Sequence, residues 1–165
     1  MKQRTALFVA LALLLLTATT SLPAQDDAPA KTPQVTIESI TIEPPAPAAD
    51  TLCKLTVTLK NHGTDIASQL DFKVKINGQM LPVYRNQLFM FPLAAGATSD
   101  LKLYNFWSTE TSRPFPEDGK LNVEVSLVGA QWTKVTMEEE TEVWQPLGDV
   151  EGLPHAQSVT LEMKR

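Results

Sequence analysis

Three side chains in this 165-residue chain are of the types that attack, move protons or hold a soft metal: Cys53, His62 and His155. A thiolate beside an imidazole is a nucleophile, and two imidazoles with a carboxylate make a zinc ligand set. Their settings argue against both uses. Cys53 is in phase with Leu55 and Val57, so it faces the apolar side of its segment, where a cysteine behaves as a small hydrophobe. His62 sits in Asn61-His-Gly63, a turn signal, and His155 follows Pro154 in a loop. The densest charge is Glu138, Glu139, Glu140 and Glu142. Hard cations favour several carboxylates, but the Asp, Asn and Gly spacing that bends a loop around calcium is missing. A solvated acidic edge is the simpler reading, and such charge also discourages strand edges from pairing. A glycine-rich phosphate loop, G-x-S-x-G, H-E-x-x-H and C-x-x-C are all absent. The sequence therefore predicts no catalytic, cofactor-binding or metal-binding residue.

Bulky apolar groups are the more informative feature. Leu88-Phe-Met-Phe-Pro-Leu93 places Phe89, Met90 and Phe91 in succession, while Trp107, Phe115, Trp132 and Trp144 fall at or beyond the ends of regular segments. Two readings stay open. Residues 129–156 fold back over the core as an extra hairpin anchored by Trp132 and Trp144, or the aromatic groups form an exposed patch. In the second reading Phe89, Met90, Phe91, Trp107, Trp132 and Trp144 bind a protein or glycan partner.

The elements that must position these groups are strands. Leu70, Phe72, Val74 and Ile76 alternate with Asp71, Lys73, Lys75 and Asn77, a period of two that a helix would scatter around its surface. Cys53, Leu55, Val57 and Leu59 repeat the pattern, as do Leu121, Val123, Val125 and Leu127. Weaker runs carry Leu101 and Leu103, and Val159, Leu161 and Met163. Within 35–42 the phase switches, from Val35 and Ile37 to Ile40 and Ile42, which predicts a bulge or a change of sheet near Glu38 and Ser39. Turn chemistry separates the runs at 43–47, 61–63, Asn77-Gly78, Ala95-Gly96 and 117–119. No segment has helical periodicity. The fold class is all-β, an antiparallel sandwich whose sheets each keep one wet face.

Three motifs carry a resemblance. Val35-Thr-Ile-Glu-Ser-Ile-Thr-Ile-Glu-Pro-Pro-Ala-Pro, Leu55-Thr-Val-Thr-Leu-Lys-Asn-His-Gly63 and Leu93-Ala-Ala-Gly-Ala-Thr98 resemble CARDB, the cell-adhesion-related domain found in bacteria. The resemblance spans roughly residues 34–128 and implies an immunoglobulin-like sandwich of about seven strands, related to fibronectin type III domains and serving as an accessory module of surface or secreted proteins. After Val128 the chain departs from the family pattern. Residues 129–156 are too long for a simple hairpin loop.

The address is written at the start. Lys2 and Arg4 precede an uninterrupted eleven-residue apolar run, 6–16, and then small and polar residues lead to a cut after Ala24, or after Ala30. Eleven residues at roughly 1.5 Å each reach about half of a ~30 Å hydrocarbon core, so the segment reads as a signal peptide and not as an anchor. Residues 1–24 are thus read as the signal peptide, 25–33 as a flexible leader and 34–165 as one sandwich domain with an extended 129–156 segment. Removing Lys2 and Arg4 from 14 bases leaves 12 against 19 acids, a net charge of −7. That balance disfavours nucleic acid and anionic membrane surfaces. The expected protein is a non-enzymatic extracytoplasmic module, periplasmic or secreted, that binds or stabilises a protein or glycan and uses no cofactor. The alternative is a small secreted hydrolase or metal-dependent enzyme built from His62, His155 and the acids of 138–142.

Overall fold

Alternating apolar residues become strands wherever a second sheet lies against them. A computed structural model of the chain describes residues 32–81, 88–109 and 118–164, with no statement for the side chains of residues 88, 89 and 104. The segment read from the sequence as a signal peptide, most of that read as a leader, and Phe115 lie outside the described residues. The strands are β1 (Val35–Glu43), β2 (Leu52–Asn61), β3 (Ile66–Ile76), β4 (Gln79–Met80), β5 (Leu88–Phe89), β6 (Thr98–Trp107), β7 (Lys120–Glu138), β8 (Thr141–Asp149) and β9 (His155–Glu162). Seven of them have eight or more residues.

They form two antiparallel sheets, a β-sandwich. The smaller has the order β1-β2-β6. The larger runs β4-β3-β7-β8, with β5 also on β3 and β9 also on β7. β3 occupies one edge of β7, so β9 and β8 lie end to end along the other: β9 opposes 120–127 and β8 opposes 131–138. Between the sheets lie Cys53, Leu55, Val57 and Leu59 of β2, Leu70, Phe72, Val74 and Ile76 of β3, Leu121, Val123, Val125 and Leu127 of β7, and Phe106 of β6, all buried. The inward phases of the three strongest alternating segments are those the sequence predicts.

The phase switch in β1 is a bulge. Ile37 opposes Leu59 and Ser39 opposes Thr58, so Glu38 is the extra residue and the inward set changes from Val35 and Ile37 to Ile42. Asn77 and Gly78, both with positive φ, make the tight turn between β3 and β4. Residues 88–93 follow the outer edge of β3: Leu88 and Phe89 pair with Asp71 and Leu70, and Leu93 exchanges backbone hydrogen bonds with Ala67 at 3.0 and 2.8 Å. Phe91 and Leu93 therefore turn inward and Met90 outward. The consecutive bulky residues at 90–93, read from the sequence as outside any alternation, do alternate, because that segment is an edge of the larger sheet.

A polar staple closes the end of the sandwich where β2 leaves. Asn61 is fully buried; its Nδ2 donates to Asp65 O at 2.8 Å and Leu93 O at 2.9 Å, and its Oδ1 accepts from Gly63 N at 2.8 Å. At the opposite end buried Ser108 does similar work, donating to Ala48 O at 2.7 Å and accepting from Thr51 N at 3.1 Å.

Candidate interaction site

The chemistry-bearing side chains are placed as parts of the scaffold. Cys53 is buried, burial pushes its thiol above the ordinary value, and Sγ lies 3.6 Å from Thr51 O. A thiol held neutral is a poor nucleophile. The two histidines approach neighbouring residues of β1 from different sheets. His155 Nδ1 accepts from Ile37 N at 3.0 Å and so ties β9 to β1, while exposed His62 places Nε2 at 3.0 Å from Thr36 Oγ1 and 3.8 Å from Glu38 Oε1. No group of three or more His, Cys, Asp or Glu among the described residues is arranged to hold a metal ion. Glu138, Glu139, Glu140 and Glu142 are exposed together at the turn between β7 and β8.

That turn is the tip of an arm. The last residue of β7 opposite β3 is Thr133, paired with Ile66, yet β7 continues to Glu138 with only β8 beside it among the described strands. Five further residues at about 3.3 Å each carry the hairpin roughly 17 Å past the last β3 pair. Glu139 and Glu140 both have positive φ, which a two-residue turn of this hand requires and which glutamate adopts reluctantly. Val135 opposes Trp144 and Met137 opposes Glu142, so Val135, Met137 and Trp144 share one face. Met137 is 65% exposed and Trp144 42%. At the base of the arm Pro146 opposes Thr133 and Gly148 opposes Trp132, which leaves Leu147 as a bulge residue without a partner and 54% exposed.

The chain is structurally similar to a CARDB domain. That solved structure, from Pyrococcus furiosus in complex with di-metal ions, has 17% sequence identity to the chain and a TM-score of 0.44; the likeness covers 80% of this chain and 94% of that one. The likeness concerns the fold alone. No family model and no curated protein matches the chain.

The aromatic residues singled out by sequence do not converge. Trp144 and Trp132 share the β7–β8 ribbon, but Trp132 is half-buried and packs on the core, its indole lying where a Cβ on Gly63 would come within 2.5 Å. Phe91 also packs on the core, whereas Met90 is 70% exposed beside it. Trp107 is exposed with its cross-strand partner Leu52 at the other end of the sandwich. Phe89 pairs through its backbone with Leu70. A hairpin is present, but it runs past β3 instead of folding back over the core: Trp132 packs on the core, while Trp144 faces out and anchors nothing there. Sequence reasoning passed over Met137, Leu147 and Leu52. The alternation of Val135 and Met137 with Thr136 and Glu138 was the signal for the first of these, since it extends a strand pattern into the acidic run.

Proposed function

We propose that this protein is an exported, non-enzymatic binding module that engages an extracytoplasmic protein through its β7–β8 arm. The observation that carries the reading is the apolar face of Val135, Met137 and Trp144 on a hairpin that leaves the sandwich. Apolar area held away from the core contributes nothing to folding, and aromatic and methionine side chains on a projecting element are the groups that anchor interfaces. Two further features support it: the Cys53 thiol lies in the core, and His155 Nδ1 is engaged with a backbone N–H. Export rests on the basic, apolar and small-residue succession of residues 1–24.

The test compares capture of envelope proteins by immobilised wild type with capture by Trp144→Ala and Met137→Ser. Loss of a captured protein at unchanged melting temperature is expected. Capture indifferent to both substitutions would defeat the arm as the binding element, and recovery of Met1 on a membrane-bound product would defeat export.

A further inference from the structure

Resting on that reading of the arm, we propose that its partner is an extended, basic segment of another protein that pairs as an added strand with the edge of β8 facing away from β7, which no described strand occupies. The register defines what this edge offers. The two-residue turn makes Glu138 and Thr141 the first hydrogen-bonded pair, so Met137–Glu142, Val135–Trp144 and Thr133–Pro146 are the non-hydrogen-bonded pairs. In such pairs the backbone groups point away from the neighbouring strand. Glu142 and Trp144 therefore aim their N–H and C=O groups outward from β8. Pro146 has no N–H, and its position in the same set means that its ring takes nothing from the bonds to β7. It ends the donor row on the outer edge instead. The available stretch is 141–145, bounded by the turn on one side and by Pro146 on the other.

Charge selects the occupant. Four glutamates lie within 138–142, and Lys134 is the one basic residue between Thr133 and Pro146. A second copy of this acidic chain would set glutamates against glutamates along a short edge, which is unfavourable. A strand with Lys or Arg abreast of Glu142 and an apolar side chain two residues on, abreast of Trp144, satisfies both features, because residues two apart on an added strand fall on the same face of the ribbon as Glu142 and Trp144 do. The rival use of the same glutamates is to guard a free edge against pairing. The two differ in sign: a guard weakens when neutralised and lets copies associate, whereas a docking edge loses a basic ligand.

The probe is a labelled nine-residue peptide with lysines in one half and valines in the other, with the same peptide carrying glutamates in place of the lysines as control, followed by fluorescence anisotropy at low and high salt. Wild type is expected to bind the basic peptide and not the acidic one, with affinity falling as salt rises. Glu142→Gln removes one charge and should weaken binding a few-fold. Glu142→Pro also removes an outward N–H and should weaken it at least tenfold beyond Glu142→Gln, with the melting temperature retained because the β7 ladder is untouched. Equal binding by Glu142→Pro and Glu142→Gln, failure of wild type to bind the basic peptide, or self-association of Glu142→Gln in sedimentation would each overturn strand addition. If the peptide fails while envelope capture still depends on Trp144, strand addition falls and the arm remains the binding element; if capture is also indifferent to Trp144, both fall.

Discussion

The two halves of β7 are one strand in two environments. In 120–127 it is flanked by β3 and β9 and covered by the smaller sheet, and Leu121, Val123, Val125 and Leu127 vanish from solvent. Beyond Thr133 it has β8 alone among the described strands, and Val135 and Met137 remain half-exposed and exposed. Length explains the difference. β1, β2 and β6 have nine or ten residues and span about 30–33 Å, while the 19 residues of β7 run to roughly 63 Å. The smaller sheet cannot cover the larger one to its end, so the same apolar alternation that builds a core in one half becomes surface in the other.

The widest separation between the halves is in solvent access. Cys53 faces the buried half and should react with thiol reagents only through unfolding, slowed by roughly a thousandfold or more relative to a free thiol for a domain of ordinary stability. A Val135→Cys substitution in a Cys53→Ala background should react nearly as fast as free cysteine. Rapid labelling of native Cys53 would remove the buried face of β2. Burial also raises the Cys53 thiol above 9.0, so the fold favours the neutral form. Its contribution is intact below that value and is lost as pH rises above it, because the thiol of the unfolded chain ionises first. Wild type should therefore lose stability in that alkaline range more steeply than Cys53→Ala.

Substituting aspartate tests the same contrast through energy. Val125→Asp places a carboxylate between the sheets and should remove several kcal/mol, enough to unfold a domain of typical 5–15 kcal/mol stability. Val135→Asp on the arm should cost less than about 1 kcal/mol. Urea titration measures both, and equal losses would mean that the arm is part of the core.

At the junction of the two regimes stands Asn61, beside the turn that makes room for Trp132. Asn61→Leu keeps the volume but takes the side-chain partner from the Asp65 carbonyl and the Gly63 N–H, and one of two donors from the Leu93 carbonyl, which keeps the Ala67 N–H. The expected loss is about 2–3 kcal/mol by denaturant unfolding. A loss below 0.5 kcal/mol would show that the three hydrogen bonds are replaced by solvent.

What was legible in the sequence follows the same division. Period-two runs such as Leu70, Phe72, Val74 and Ile76 declare both their strand and their inward face, and the phase switch at Glu38 declares its bulge, because each is a local consequence of a covered sheet. The arm was illegible for three physical reasons. The inward set shifts at Val128 to Ala130, where Ala130 is buried out of phase and β3 itself slips register, so the apolar alternation that marks the strand breaks off. The turn uses Glu139 and Glu140 where asparagine or glycine is the usual signal. Pro146 sits inside a strand, which only its outward-facing edge position permits. Asn61 was visible as a turn residue, but its long-range bond to Leu93 has no sequence signature. Of the bulky apolar candidates, Trp144, Trp107 and Met90 are at the surface, whereas Trp132 and Phe91 pack inward, a difference set by which neighbour stands opposite.

The smallest effect in the comparison reverses sign across three residues of β7. Thr133 is buried and its hydroxyl is hydrogen-bonded to Ser68 of β3, whereas the Thr136 hydroxyl, beyond the reach of β3, is covered without a hydrogen-bond partner among the described residues. Threonine to valine preserves shape and removes only the hydroxyl, so the same substitution asks a different question at each site. Thr133→Val should destabilise by about 1–2 kcal/mol, since it leaves the Ser68 hydroxyl unpaired in the interior. Thr136→Val should be neutral or stabilise by up to about 1 kcal/mol, because the group it removes gains nothing in the folded state. Paired thermal melts decide the matter. Destabilisation by Thr136→Val comparable to that of Thr133→Val would place a partner on the arm hydroxyl and move the boundary between core and arm outward by at least one turn of the pleat.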